Sequence, residues 1–314
     1  MRQTKREEKH RHHFTPVLYL KNFTDAQGVL LAVRRSDGRR FPTAPKGIGF
    51  ERDLYWPDNL EEGEDPNVYE DQFAEFEGKA APVIEQVIAT RQMPTDEEQL
   101  SLLFNFIAFQ FVRTPSMRRV IAAPREHAAR IIIDLLESSK ELYESHMRRA
   151  GYDLEEHPFE RLGRGRYEPR LTTEGFIEDA MVMMTTILQY LHRRTWHVLV
   201  SERPTESFVV SDHPVVLEWS NGRSTRYPPG HAHQNTDLTF PLGSQVALLG
   251  CYEPFTVDPD RMPVYVSGIN SRTINLARVF VATCEDNFIL QDGGRIITAE
   301  QFIEQLKKDN VAGV

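Results

Sequence analysis

The sequence predicts an α+β fold in which a helical middle section, about residues 66–193, packs with a mainly antiparallel β-sheet built from N-terminal and C-terminal strands. Three observations predict it. Apolar residues recur at helical spacing from Val68 to Arg193, give way after Arg194 to short β-rich runs, and are preceded by a strand–turn–strand pattern at Val29–Thr43. Helices and strands occupy separate blocks, which points to α+β and not to alternating α/β. No internal repeat is visible.

With 314 residues the chain reads as a flexible basic arm, 1–11, followed by a single α+β domain, 12–314, whose C-terminal part, about 194–297, is β-rich. The balance of 37 basic against 46 acidic residues, net −9, argues against broad nonspecific binding to nucleic acid and leaves room for a local basic patch. Cys251 and Cys284 lie in apolar strand-like runs and read as reduced core residues of a cytoplasmic protein. There is no C-x-x-C pair for a structural zinc site. The first thirty residues lack an apolar signal core, and no run approaches the roughly 20 apolar residues of a membrane span, so no membrane association is expected.

Met1–Arg11 carries Arg2, Lys5, Arg6, Lys9 and Arg11 against Glu7 and Glu8. It reads either as a solvated terminus or as a segment that touches phosphate. Thr15 as N-cap and Pro16 at the first helical position announce a short helix that plugs Val17, Leu18, Tyr19, Leu20 and Phe23 into the core. The extended His12–His13 pair just before it points its rings apart. His13 is expected to be the inner one, as a packed histidine or as an acid–base or ligand group. Strand, turn and strand follow at Val29–Arg35, Ser36-Asp37-Gly38 and Arg39–Thr43. Phe50, Leu54, Tyr55 and Trp56 form a packing cluster, and Pro57–Pro66 an acidic surface loop.

In the helical middle, Phe73, Phe76, Ala80, Val83, Ile84 and Val87 place a helix over Val68–Arg91, with Glu70 and Glu77 on one face. The next helix, Thr95–Pro115, opens on a Thr95/Glu98 capping box and is so uniformly apolar that it is expected to be enclosed on most sides. Gln110 and Arg113 share a face at its far end. A guanidinium there cannot lose its charge and must find carboxylates or an anionic ligand, and Glu77 is the expected partner. A helix over Arg125–Arg149 should turn Ile131, Ile132, Leu135, Leu136, Leu142 and Met147 inward, and Gly151–Pro169 reads as a mobile connection. A fourth helix, Thr173–Arg193, uses Met181, Met183 and Met184 as core filler.

Strands are expected at Trp196–Ser201, Ser207–Val210, Val215–Trp219, Leu238–Phe240, Gln245–Cys251, Val264–Val266 and Arg278–Cys284. A polar loop, Ser220–Asn235, interrupts them, and a helix over Thr298 to about Lys308 closes the chain. Ser211-Asp212-His213-Pro214 breaks two apolar runs. Asp212 there is either presented from a rigid frame as a reactive group or organises the turn by bonding backbone amides. Asn270 and Asn275, in a segment that begins as a helix, bind a ligand or cap backbone. Arg278 offers a second cation or a surface residue. His231-Ala232-His233 has chelating spacing but no fixed third ligand, a weak metal signal. No Walker loop, Rossmann fingerprint, H-E-x-x-H or G-x-S-x-G is present, which lowers the prior for nucleotide hydrolysis, dehydrogenase, zincin and esterase chemistry.

The ordered set HHFTPVLYLKNF, GFERDLYW, QFVRTP, VVSDHPV, TFPLGS and INSRTINLARVF resembles the bacterial family catalogued as domain of unknown function 4238. The resemblance implies that His13, Pro16, Tyr19, Phe23, Glu77, Gln110, Arg113, Pro115, Ser211, Asp212, Pro214 and Asn270 occupy motif positions. It implies no particular activity. Relatives usually carry asparagine after the motif aspartate where this chain has His213, so His213 is not placed as primary catalyst.

The resulting expectation is a hydrolase of a phosphodiester or other anionic substrate, with a nucleic acid or nucleotide as ligand. Gln110, Arg113 and Asn270 would hold the anion, and His13 would be general acid or base. Asp212 with Glu77 would orient it or hold a divalent metal ion. The alternative is a non-catalytic ligand-sensing or partner-binding protein of bacterial stress or phage defence. A third possibility is a buried structural ion network. Convergence of His13, Asp212 and Arg113 on an open cleft favours the first two, and dispersal or a sealed cluster favours the third.

Overall fold

The computed structural model describes residues 8–162, 167–203, 206–220, 222, 227–285 and 288–312. Residues 1–7 of the expected arm, and parts of the connections at Gly151–Pro169 and Ser220–Asn235, lie outside that set.

The chain opens with β1 (Arg11–His13) and the short α1 (Val17–Leu20), then the hairpin β2 (Leu30–Arg34) and β3 (Arg40–Thr43), and β4 (Phe50–Arg52). The helical middle is α2 (Val68–Thr90), α3 (Glu97–Val112), α4 (Pro115–Ser138), α5 (Lys140–Arg149), α6 (Phe159–Leu162) and α7 (Thr173–Leu191). Next come β5 (Thr195–Val200), β6 (Val210–Ser211), β7 (Val216–Trp219), β8 (Thr236–Gly243) and β9 (Val246–Cys251). The chain then runs through α8 (Met262–Leu276), β10 (Phe280–Thr283), the hairpin β11 (Ile289–Asp292) and β12 (Arg295–Thr298), and α9 (Ala299–Ala312).

One four-stranded sheet, order β3-β2-β10-β6, joins N-terminal to C-terminal strands, and a second, order β5-β9-β8-β7, is wholly C-terminal. All strand pairs are antiparallel. Both sheets are covered on both faces. Val246 and Leu248 of β9 join the core under α2, α3 and α7, while Ala247 and Leu249 pack with Val266 and Ile269 of α8. In the other sheet, Leu30 and Ala32 face the helical middle, and Val33 and Val281 meet Ile274, Leu290 and Phe302. Double coverage is why β9 reads as an unbroken apolar run and not as an alternation.

α3 is the hub. Leu103, Phe104, Phe106, Ile107, Ala108, Phe109, Gln110 and Val112 are all buried, because α2 and α7 flank the helix and Phe240 of β8 lies beneath Phe106. Each such phenylalanine contributes about 2 kcal/mol by apolar burial.

Several expectations are corrected. The cap of α3 is Asp96, whose carboxylate accepts the Gln99 amide at 2.9 Å, and not Thr95. The helix after α3 begins at Pro115 and not at Arg125: the Thr114 hydroxyl caps α4 and Pro115 fills its first position. The helix expected over Arg125–Arg149 is two, parted at Ser139, which caps α5. Ile131, Ile132, Leu135 and Leu142 are exposed and not inward, as is Met181. Val264–Val266 lies in α8 because Pro263 starts a helix there, so its β-branched pair is not a strand. The β11–β12 hairpin was not anticipated, although Gly293 and Gly294, both at positive φ (54° and 82°), are the glycine pair a tight hairpin favours. Cys251 and Cys284 are unpaired thiols. Among the described residues no helix is long and apolar enough to cross a membrane.

Candidate functional site

Arg113 follows the last residue of α3, where the helix end meets α2 and β1. Its Nη1 pairs with Glu77 and its Nη2 donates to the His13 carbonyl. The guanidinium lies 4.4 Å from the centre of the Phe109 ring, with Phe73 and Tyr55 at 5.5 and 5.8 Å. Three aromatic faces and one carboxylate therefore hold a cation whose side chain is 2% exposed. The Tyr55 hydroxyl donates to the Arg113 carbonyl at 3.3 Å.

Glu70, two turns before Glu77 on α2, accepts the His13 amide, and burial pushes its carboxyl up to about 7 despite the pull of Arg113. The His13 ring bonds the Lys46 backbone, packs on Phe50 at 5.5 Å and is lowered to about 4 by burial and by Arg113. His13 is nevertheless not the more enclosed of the pair. His12 is fully buried. Its Nδ1 accepts the Tyr55 amide at 2.8 Å, so its Nε2 carries the proton and donates to the Lys9 carbonyl at 2.6 Å. The Lys9 amide donates to Asn67 at 2.8 Å and its ammonium pairs with Asp71 at 2.7 Å. The first turns of α2 and the end of α3 thus clasp Lys9–His13. Gln110 is fully buried, with both amide atoms lacking a partner among the described residues.

Asp212 and Asn270 lie elsewhere. The Asp212 carboxylate is buried and accepts the backbone amides of Arg278, Val279 and Phe280 at 2.9–3.1 Å, tying the end of β6 to the start of β10. Asn270 accepts from the Val209 amide at 3.0 Å and donates to the Ser207 and Ile289 carbonyls at 2.9 Å. His213 is buried. Its Nδ1 is 3.3 Å from the Thr114 hydroxyl, the next residue after Arg113. The structure brings together His13, Glu77 and Arg113, adds Glu70, and leaves Asp212 and Asn270 bonded to other backbone, so the Arg113 cluster itself has the enclosure and dispersal expected of a structural ion network. His231 and His233 diverge, one edge-on to Phe111 at 4.8 Å and the other stacked on Trp219 at 5.0 Å. Among the described residues no group of three or more His, Cys, Asp or Glu is placed to hold a metal ion.

Beside this clasp runs an open groove of about 1010 Å³ between α4, the segment before α7, and the Arg278–Val279 turn. Five arginines line it, Arg118, Arg119, Arg130, Arg170 and Arg278, against Glu51, Glu126 and Glu168. Arg118 is tied down, donating to the Leu54 carbonyl and Thr173 and lying 4.7 Å from the Phe176 ring. Arg130 donates to the Tyr167 carbonyl. The side chains of Arg119, Arg170 and Arg278 are exposed. Asp212, by holding the Arg278 amide, sets the backbone that carries one of these cations. Sequence reasoning missed Arg118, Arg119, Arg130 and Arg170. The one signal was that 119, 126 and 130 share a face of a helix.

Fold and site define an α+β protein, two four-stranded antiparallel sheets roofed by helices, in which a buried Arg–Glu clasp adjoins an arginine-lined groove. The chain belongs to the family described as Protein of unknown function (DUF4238), whose model matches residues 11–287. No curated protein and no solved structure matches it.

Proposed function

We propose that the protein binds a phosphate-bearing ligand, a nucleotide or a short stretch of single-stranded nucleic acid, in the arginine groove, and acts as a ligand-sensing or partner-binding protein. One observation carries this reading. Arg119, Arg170 and Arg278 line the groove with no salt bridge among the described residues, a local excess of positive charge on a chain of net charge −9. The volume suits a nucleotide or a few linked ones. Two unpaired cysteines support a reducing, cytoplasmic setting.

The test is fluorescence anisotropy with a labelled single-stranded oligonucleotide and a labelled adenine nucleotide. If three phosphates are neutralised, binding of the oligonucleotide should fall with salt at a log–log slope of about −2. Arg119→Glu with Arg278→Glu should weaken it at least about tenfold, while Arg113→Lys should leave it unchanged. Binding that ignores both salt and the two groove arginines would end the reading.

A second reading, hydrolysis of such a ligand with His13 and Glu70 as acid–base groups, has one specific support. Glu70, raised to about 7, and His13, lowered to about 4, lie beside a fixed cation, and such separated values are what acid–base pairs use. Incubation of labelled oligonucleotide with and without a divalent metal ion tests it. Product that depends on His13 and Glu70 would favour it over binding alone.

A further inference from the structure

We propose that the protein pairs with a second copy of itself through the outer face of α4, the two helices running antiparallel about a twofold axis near Ile131. Val120, Pro124, Ala128, Ile131 and Leu135 recur at steps of four, four, three and four residues, the repeat of a helix–helix seam. All are exposed, Val120 by 58%, Ile131 by 48% and Leu135 by 53%, and Ile132 beside them by 50%. The pattern is that of an inward face, yet nothing among the described residues covers it. A contiguous apolar stripe of this kind marks an interaction surface.

The stripe itself says what covers it. Past Val120 its N-terminal half is small, Pro124 and Ala128, and its C-terminal half is large, Ile131, Ile132 and Leu135. Antiparallel self-pairing sets large against small, with Leu135 of each copy about level with His127 and Ala128 of the other and the two Ile131 side chains meeting at the axis. Parallel pairing would set large against large. Charge agrees. His127 and Asp134, seven residues apart on one flank of the stripe, are exposed, and the same antiparallel arrangement places His127 of each copy beside Asp134 of the other. A surface complementary to itself in both size and charge is the mark of a twofold interface. At 100° per residue the stripe is centred about 130° around α4 from Arg119, Ala123, Glu126 and Arg130, so pairing leaves the arginine groove open.

The test is the mass of the full chain in solution by sedimentation velocity and light scattering. A dimer is expected. Leu135→Glu and Ile131→Glu should each raise its dissociation constant at least about tenfold without moving the thermal midpoint of the isolated protomer, since both positions are open to solvent there. In a Cys284→Ser background, Ile131→Cys should form a disulfide-linked dimer on mild oxidation. Val120→Cys should not, because eleven residues of helix on either side of the axis would part the two sulfurs by about 33 Å. A monomeric chain, a dimer indifferent to Leu135→Glu, or cross-linking at 120 and not at 131 would each overturn the proposal.

Discussion

Arg113 and His13, a hundred residues apart in sequence, are joined by a hydrogen bond from the guanidinium to the backbone carbonyl. The same guanidinium pairs with Glu77, so one side chain fixes the end of α3, the face of α2 and the N-terminal strand together. The stability of that junction depends on a charge almost wholly removed from water.

Arg113→Ala should therefore cost about 3–5 kcal/mol, since Glu77 would be left as an uncompensated carboxylate and the His13 carbonyl as an unpaired acceptor. Arg113→Lys should recover only part, because an ammonium cannot reach both acceptors with the planar fork of a guanidinium. Urea unfolding of the two variants checks the order.

Glu70 and His13 should give opposite pH signatures. Glu70 is raised from 4.5 to about 7, so between those values the folded state holds more protons than the unfolded one and this group makes stability fall as pH rises. His13 is lowered from 6.5 to about 4, so the unfolded state holds more protons and stability rises with pH across that window. Glu70→Gln should gain on the parent protein as pH rises from about 5 to 7.5, and His13→Asn should gain as pH falls from about 6.5 to 4. Urea midpoints across this range check both signs.

Asp212→Asn keeps the size of the side chain but takes away one of the two oxygens that accept the Arg278, Val279 and Phe280 amides. A loss of about 2–4 kcal/mol is expected, as for buried donors deprived of a charged acceptor. Hydrogen exchange should place it at the start of β10. Unchanged protection of those three amides would contradict a positioning role.

Gly49→Ala should loosen the same N-terminal region. Gly49 has φ +72°, and an added Cβ would meet the Thr15 Cβ at 2.9 Å, while its carbonyl accepts the Phe14 and Thr15 amides. A cost of about 1–3 kcal/mol is expected from backbone strain and crowding, read as a lower thermal midpoint.

Much of this was legible in the sequence, for reasons that differ by residue. The apolar period of α2 and α3, the need of Arg113 for an acid and the choice of Glu77 follow from local spacing and from the charge of a guanidinium, and the structure joins them. Glu70 shares the face of Glu77, but spacing alone gave no sign that its carboxyl would be the proton-loving one, because that follows from its burial in the fold. The exposed Ile131–Leu135 stripe shows the converse limit: amphipathic spacing says which side chains want cover and not what supplies it. Val264–Val266 misled because β-branched residues were weighed above Pro263. The groove was invisible because its cations come from α4, Arg170 and Arg278, which only the fold brings together.

The pairing of β2 with β10 sets Leu31 opposite Thr283, and that register has a consequence for biosynthesis. The β2–β3 hairpin leaves the ribosome and finds its sheet neighbour only when about 240 further residues have followed it, a separation that makes closure slow. Until then one edge of β2 stands open. A nascent chain stalled before Phe280 should be the form most in need of a chaperone.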